Sequence, residues 1–302
     1  MKKIFAFLAL SPVLLLIIIG CQSSGKAAAS RMLKFNLENG KAYDYETNWV
    51  MDQEIMGQAS NMEIFCTYGI EVVNETADIK TLRSTYKRFK MNMKILGLEL
   101  KSDTDDPKPL ISANESENDP AGLMSRIFTG IAGKSFLMKV NQEGEILEVS
   151  GFKELIAGIV DSLTVPENIK MQLRASLQDQ FNEQSTKDFF SNAFFIFPAR
   201  EVKLGDSWKK TTMLGGKIGA TQTATYTVTA VEGDIYTLGA ESEFSSEGEQ
   251  KVSGTQKSTL LVDSRTGLLV NGDYEQKLQV EVEGTPLKIT AKGYIKGSER
   301  TN

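Results

Sequence analysis

The feature that most constrains this chain is a period-two alternation of apolar and polar residues that recurs in both of its halves. Phe89, Met91, Met93 and Ile95 alternate with Lys90, Asn92 and Lys94, and Leu278, Val280 and Val282 alternate with Lys277, Gln279 and Glu281. Ala224, Tyr226 and Val228 do the same against Thr223, Thr225, Thr227 and Thr229. A period of two puts every apolar side chain on one face of an extended strand and every polar one on the other. Strands with one wet face belong to antiparallel sheets, because parallel sheets are covered on both sides. Asn39-Gly40 predicts a tight hairpin joining Phe35-Asn36-Leu37 to Tyr43-Asp44-Tyr45, and further turn signals fall at Glu232-Gly233-Asp234, Asp263 to Gly267 and Glu283-Gly284.

Between the strand-rich halves the period changes. Phe152, Leu155, Ile156, Ile159, Val160 and Leu163 fall at helical offsets and predict an amphipathic helix. Pro166 opens a second, carried by Ile169, Leu173, Leu177 and Phe181, and a third covers Thr186 to Asn192. Met124, Ile127, Phe128 and Ile131 mark a helix ending near Gly133. A hairpin spans about 135–149 and turns at Gly144. The stretch from Ser102 to Pro120, acidic and with three prolines, reads as a loop. Lys134-Ser135-Phe136-Leu137 and Gly144 have a faint echo in Lys257-Ser258-Thr259-Leu260 and Gly267. The expected architecture is α+β: a long, curved antiparallel sheet resembling an incomplete barrel, with a central group of helices packed on one face. Residues 31–302 are expected to form one domain, with strands over about 32–100 and 202–297 and helices over about 121–193.

The N-terminus carries an address. Lys2 and Lys3 precede the apolar run Ile4–Ile19, which ends at Gly20-Cys21 and gives way to the polar stretch Gln22–Ser30. The layout is that of a secretory signal, and the run is too short, and broken by Pro12, for a spanning helix of about 20 residues. Cleavage between Gly20 and Cys21 with acylation of Cys21 is the expected processing, since two or more chains hold a protein stably to a bilayer. The nine residues after Cys21 would then form a tether of roughly 15–18 Å. Gln22 differs from the aspartate that resembles an inner-membrane retention signal, which favours the outer membrane, facing the periplasm.

Composition removes several function classes. Loss of residues 1–20 takes the net charge from −5 to −7, and an acidic domain without basic clusters is a poor nucleic-acid binder. The chain has no histidine, so Ser-His-Asp and Cys-His triads and the usual zinc sites are excluded. With Cys21 committed to lipid, Cys66 is the one remaining cysteine and has no histidine to activate it. Asp103-Thr104-Asp105-Asp106 begins like a calcium loop, but Pro107 and Lys108 stand where a ligand and a glycine belong. Gly215-Gly216-Lys217 lacks the spacing of a phosphate loop. No cofactor and no catalytic set is expected. Methionines gather at Met51, Met56, Met62, Met91 and Met93, and again at Met124, Met138 and Met171; such side chains adapt to irregular ligands as readily as they fill cores. Phe89, Met91, Met93, Phe152 and Ile156 are the candidates for an apolar pocket.

Four stretches together carry a resemblance. The lipobox ending at Cys21, Thr85–Met91 running to Ser102-Asp103, Val140–Leu147 continuing to Gly151, and Val202-Lys203-Leu204-Gly205-Asp206-Ser207-Trp208 resemble a group of uncharacterised Gram-negative envelope lipoproteins that carry a domain of unknown function. The resemblance implies an anchored envelope protein and carries no catalytic residue with it. The layout is also similar to periplasmic lipoprotein carriers, in which an incomplete barrel and helices surround an apolar cavity. Three functions remain: a non-catalytic binder of an apolar or amphipathic ligand or lipidated partner, a structural or assembly protein acting through protein contacts, and a histidine-free hydrolase. The anchor is directly testable: Cys21→Ala should abolish acyl labelling and move the protein out of the membrane fraction, and unchanged labelling and fractionation would refute it.

Overall fold

The computed structural model describes residues 30–301 apart from 56–57, 96–97, 107–125, 128, 181–182, 215–218, 247–250 and 283–284. In chain order the strands of the first half are β1 (Arg31–Leu33), β2 (Ala42–Ile55), β3 (Gln58–Glu75), β4 (Ile79–Ile95), β5 (Leu98–Asp103), β6 (Ser135–Asn141) and β7 (Ile146–Ser150). Three helices follow, α1 (Phe152–Ser162), α2 (Glu167–Gln180) and α3 (Glu183–Phe194). The second half supplies β8 (Arg200–Val202), β9 (Ser207–Leu214), β10 (Ala220–Glu232), β11 (Ile235–Ser246), β12 (Lys251–Asp263), β13 (Leu268–Val282) and β14 (Thr285–Glu299).

Twelve strands form one antiparallel sheet in the order β7-β6-β4-β3-β2-β14-β13-β12-β11-β10-β9, with β5 beside the far half of β4. The first and last long strands, β2 and β14, pair at its centre. The end strands do not pair with each other, so the sheet is not closed into a barrel.

The alternation seen in the sequence is the two-faced character of these strands. On β10 the pattern runs buried–intermediate from Ala220 to Val228, because even-numbered residues face the helices and the threonines face water. The helical spacing is equally direct: Phe152, Leu155, Ile156, Ile159, Val160 and Leu163 are all buried. Helix α3 is the centre of the core. Phe190 meets Tyr68 and Phe136 at ring-centroid distances of 5.7 Å each, and Phe194 meets Phe35 at 5.5 Å and Tyr45 at 5.9 Å. Tyr45 and Tyr68 stack at 5.4 Å. Such aromatic pairs contribute about 0.5–1.5 kcal/mol each beyond area burial.

The residues around the end of α3 also reach both edges of the sheet. Lys187 Nζ donates to Leu147 O on β7 at 2.8 Å, and Trp208 Nε1 on β9 donates to Ile196 O at 2.8 Å. Lys210 on β9 pairs with Glu143 in the β6–β7 turn and lies 4.2 Å from the Phe195 ring centroid. At this end, side chains bridge the two edges that backbone pairing leaves apart.

Two sequence expectations need correction. Asn39-Gly40 is a turn, with Gly40 at φ +75°, but it does not join a hairpin: β1 pairs with β8, and β2 pairs with β3 and β14. Leu33, Phe35 and Leu37 alternate because they are buried, while the backbone there is tied to turns, Phe35 N to Gln142 O at 2.8 Å and Asn36 N to Thr266 O at 2.9 Å. The acidic loop begins later than Ser102, since β5 continues through Asp103; most of the remainder, 107–120, lies outside the described residues, as do Met56, Met124, Phe128, Phe181 and Gly215-Gly216-Lys217.

Gly144 combines a positive φ of +83° with a close approach, for a Cβ there would lie 1.6 Å from Phe194 O. Gly40 has the same kind of φ with no neighbour in reach. Gly40→Ala should therefore cost about 1 kcal/mol of backbone strain, and Gly144→Ala about 3 kcal/mol, because contact adds to strain. Urea unfolding read at constant slope checks this; equal losses at the two sites would show that the approach to Phe194 is unimportant.

Candidate functional site

Strands of 13–18 residues are about 45–60 Å long, whereas helices of 11–14 residues span about 16–21 Å. The helices therefore cover one end of the face they pack on, and that face continues beyond them. Register places Ala240, Ser258, Tyr274, Gly293, Trp49, Ile64 and Met91 in one row across the sheet just past the helices. The next row runs Ser242, Gln256, Gln276, Ala291, Met51, Met62, Met93 and Leu100. Farther out stand Phe244, Leu278, Ile289, Gln53 and Ser60.

This face is uncharged almost throughout. Among the described residues, register places charged side chains of the twelve-stranded sheet on it only at the helix end: Lys80 opposite Glu75, Glu299 opposite Tyr43, and Lys210 opposite Ala224. Lys80 and Lys210 are buried and paired with Glu75 and Glu143, and Glu299 pairs with Lys41. The part beyond α1–α3 is mixed in a different way. On the β2–β5 side it is apolar: Met91 and Leu100 are buried against Ile64, Phe89, Met93 and Ile131, the last from a helical segment at 129–131, while Trp49 stays 38 % exposed. On the β10–β13 side it carries amides and hydroxyls. Gln222 Nε2 donates to Ser242 Oγ at 3.1 Å, Gln256 Nε2 to Ser258 Oγ at 3.1 Å and Gln276 Nε2 to Gln256 Oε1 at 3.4 Å. Trp49 and Tyr274 meet edge to face at 5.8 Å where the two parts join. The Tyr274 hydroxyl is itself buried and has no hydrogen-bond partner, and burial pushes its pKa up, so it stays neutral.

Of the five apolar-pocket candidates, the structure brings Phe89, Met91 and Met93 together on the helix-side face of β4. Phe152 and Ile156 lie elsewhere, on the buried side of α1, where Phe152 packs edge to face on Phe136 at 5.3 Å. Phe89 touches both the main core and the outlying cluster. Met51 and Met62 share the face of Met91, Met138 is fully buried, and Met171 is exposed. Trp208 is a core residue and Trp49 is not. The sequence reading missed Tyr274, Gln256 and Gln276. Their signal was present in the alternation, since Gln276 falls in the dry register of Leu278 and Val280, but an amide read singly passes for a solvated residue.

The opposite face is charged and self-compensated. A groove of about 800 Å³ crosses it from β10 to β2. Register sets Glu241, Lys257, Glu275 and Lys292 side by side along it, with Lys257 and Glu241 at 3.3 Å. Alternating signs on neighbouring strands are solvated and partly compensate one another, so the groove presents no concentrated charge of one sign. The Asp103–Asp106 stretch likewise has its cation supplied: Arg88 lies 2.8 Å from Asp103 and 3.0 Å from Asp105, and its hydrogen bond holds the Asp103 carboxyl below the usual range. Cys66 is buried, and burial pushes its thiol up to about 12, which keeps it protonated and non-nucleophilic at neutral pH. Among the described residues no group of three acidic or cysteine side chains could hold a metal ion, and no helix is long and apolar enough to cross a membrane.

Comparison with known proteins bears on family alone. No curated protein matches the chain. Among solved structures it is similar to one describing lipid–protein interactions in lipovitellin, with 7 % identity, 88 % of this chain and 26 % of that chain covered, and a TM-score of 0.47. The chain thus spans about a quarter of that protein's length. DynF from the dynemicin biosynthesis pathway of Micromonospora chersina matches at 6 % identity over 91 % of this chain and 90 % of that one, with a TM-score of 0.23. OccK5 (OpdH) of Pseudomonas aeruginosa matches at 8 % over 88 % and 100 %, with a TM-score of 0.22. A family model matches residues 77–269, from the turn before β4 to the start of β13 and including all three helices. The chain belongs to that family, DUF6263, a family of unknown function.

Proposed function

We propose that this chain is a non-catalytic lipoprotein of the cell envelope, anchored through an acylated Cys21, that binds an amphipathic ligand or a lipidated partner on the helix-side face beyond the helices. The observation that carries the reading is the continuation of an uncharged, part-apolar face past the helices that cover it. Water-facing sheet surfaces in this protein are threonine- and charge-rich, as the other side of β10–β14 is. The helix-side face instead keeps Trp49, Met51, Met62, Ile64 and Met93 only partly buried. With the edges bridged at one end by Lys210–Glu143 and by the residues after α3, we read it as an incomplete barrel plugged at that end. An apolar wall with a few polar groups is the ordinary composition of a small-molecule site.

The position of the N-terminus fits this arrangement. Arg31 pairs with Asp234 in the β10–β11 turn, so the chain enters the fold at the plugged end. A reading as an assembly protein would rest on β9, an end strand of the sheet whose far edge has no strand partner among the described residues.

Every strand, helix and core side chain described lies between Ser30 and Thr301, so residues 30–302 carry the whole described fold. That fragment, purified without detergent and extracted with organic solvent, should release an apolar molecule detectable by mass spectrometry. A single-chain amphiphile with a dibrominated stearoyl tail should quench Trp49 emission and leave buried Trp208 bright, and the quenching should vanish in Trp49→Phe. A clean extract together with unquenched emission would defeat the binding reading and leave protein–protein contact at β9.

A further inference from the structure

Of the large apolar side chains that stay exposed, two stand where the chain enters the fold. Met32 on β1 is 45 % exposed, and Leu204, in the turn after β8, is 54 % exposed. β1 and β8 pair antiparallel, with Arg31 opposite Val202 and Met32 opposite Glu201, and Ser30 Oγ donates to Glu201 Oε2 at 3.1 Å. The chain leaving Val202 therefore runs toward the point where Ser30 leads back to Cys21. Alternation puts Leu33 and Val202 in the core and turns Met32, Glu201 and Lys203 outward.

The turn holds Leu204 out. Asp206 N donates to Lys203 O at 3.1 Å, and Lys203 N donates to Asp206 Oδ2 at 3.1 Å. Gly205, at φ +86°, donates through its N–H to Val228 O at 2.9 Å, and Val228 N donates to Asp206 O at 3.0 Å. These bonds fix a tight turn that presents an isobutyl group to solvent, at a place polar residues and glycine ordinarily fill.

We propose that this corner, Met32 and Leu204 with Lys203 beside them, rests on the bilayer that holds Cys21, so that the domain is docked on its membrane in one orientation. This rests on the anchored-lipoprotein reading and adds the orientation to it. Nine peptide links join Cys21 to Ser30, so even a fully extended chain keeps Ser30 within about 32 Å of the acylated residue. A surface confined so near to lipid meets it at high effective concentration. A contact of two side chains, too weak to bring a protein to a membrane, then suffices to orient one already there. The chemistry of the corner fits the interface: Met32 and Leu204 can enter the acyl boundary, while Lys203 carries its ammonium back to the phosphates. Met213 supplies the contrast. It is 66 % exposed but lies six residues past Ser207 on β9, about 20 Å along the strand from this corner.

The test uses the acylated chain in phosphatidylcholine vesicles, with a nitrobenzoxadiazole label on a thiol introduced as Leu204→Cys or Met213→Cys. Cys66 is buried with its thiol pushed up to about 12, and the Cys21 thiol is taken by its lipid, so neither competes for the label. Exchanging the lipid for its chain-dibrominated analogue should quench the label at 204 at least about twofold more than the label at 213. With the label moved to Met32→Cys, Leu204→Asp should lower its quenching by about twofold or more. A thermal melt establishes that this variant is folded, and Leu204→Ser serves if it is not. Equal quenching at 204 and 213, or stronger quenching at 213, would overturn the docked orientation and leave the anchor standing. A blue-shifted label at 204 that brominated lipid does not quench would put a second copy of the chain in place of the bilayer. Quenching at 32 unmoved by a folded Leu204 variant would remove the turn from the contact. A chain that stays out of the vesicles would remove the anchor and this contact with it.

Discussion

The structure depends on the aromatic contacts of α3. Phe190 and Phe194 are nearly solvent-free and between them touch Tyr68, Phe136, Phe35 and Tyr45, which come from β3, β6, the segment after β1 and β2. The chain leaving α3 then reaches β9 through the Ile196–Trp208 hydrogen bond. A twelve-stranded sheet whose edge strands do not meet is bent by bulges such as those at Thr67/Tyr68, Val228/Ala230 and Leu261/Val262. The side chains around α3 then hold its edges toward each other at one end. Truncating either phenylalanine would remove a ring that ties several strands together, and the loss would be felt by all of them.

Glycines complete this arrangement by letting large side chains lie flat on the sheet. A Cβ at Gly293 would sit 2.4 Å from Tyr274 Oη, one at Gly297 2.8 Å from a Tyr45 ring carbon, and one at Gly272 2.9 Å from both Ile295 and Leu260. Each glycine therefore provides the space its cross-strand neighbour occupies, a pairing known to pin register and permit bending. Gly293 matters most for the candidate site, because it sets Tyr274 down against Trp49 and fixes where the apolar side of the face gives way to the polar one.

Much of this was legible in the sequence, and what was missed has a physical reason. Residues 152–163 announced α1 because helix periodicity is a local property, as did the alternation at 89–95, 223–229 and 277–282 for the strands. Sheet order is non-local: nothing near Ala42 signals that β2 will lie beside β14, and nothing in Arg31–Leu33 signals β8. The Asn39-Gly40 turn was visible, but a tight turn joins a hairpin only if both flanks find each other, and Leu33 to Leu37 are claimed by the core instead. In the site, Phe89, Met91 and Met93 stood out as apolar, and Phe152 and Ile156 were grouped with them because the end of the sheet that the helices cover cannot be read from spacing. Gln256 and Gln276 were invisible for a related reason: an amide's face becomes informative only after its strand register is known.

The two faces of the sheet bear on what kind of surface the open end is. If the helix-side face existed solely to hold the helices, selection for solubility would favour charge wherever the helices stop, as on the other side, where Glu241, Lys257, Glu275 and Lys292 alternate. Yet neutrality persists for several rows beyond the helices, through Trp49, Met51, Gln53 and their neighbours. Of its apolar side chains Trp49 is exposed and Met51, Met62, Ile64 and Met93 are half-buried, and a glutamine ladder beside them would be unnecessary for a surface meant only to be dry. Apolar and amide groups kept side by side are what the amphiphile proposed above would meet with both its parts at once.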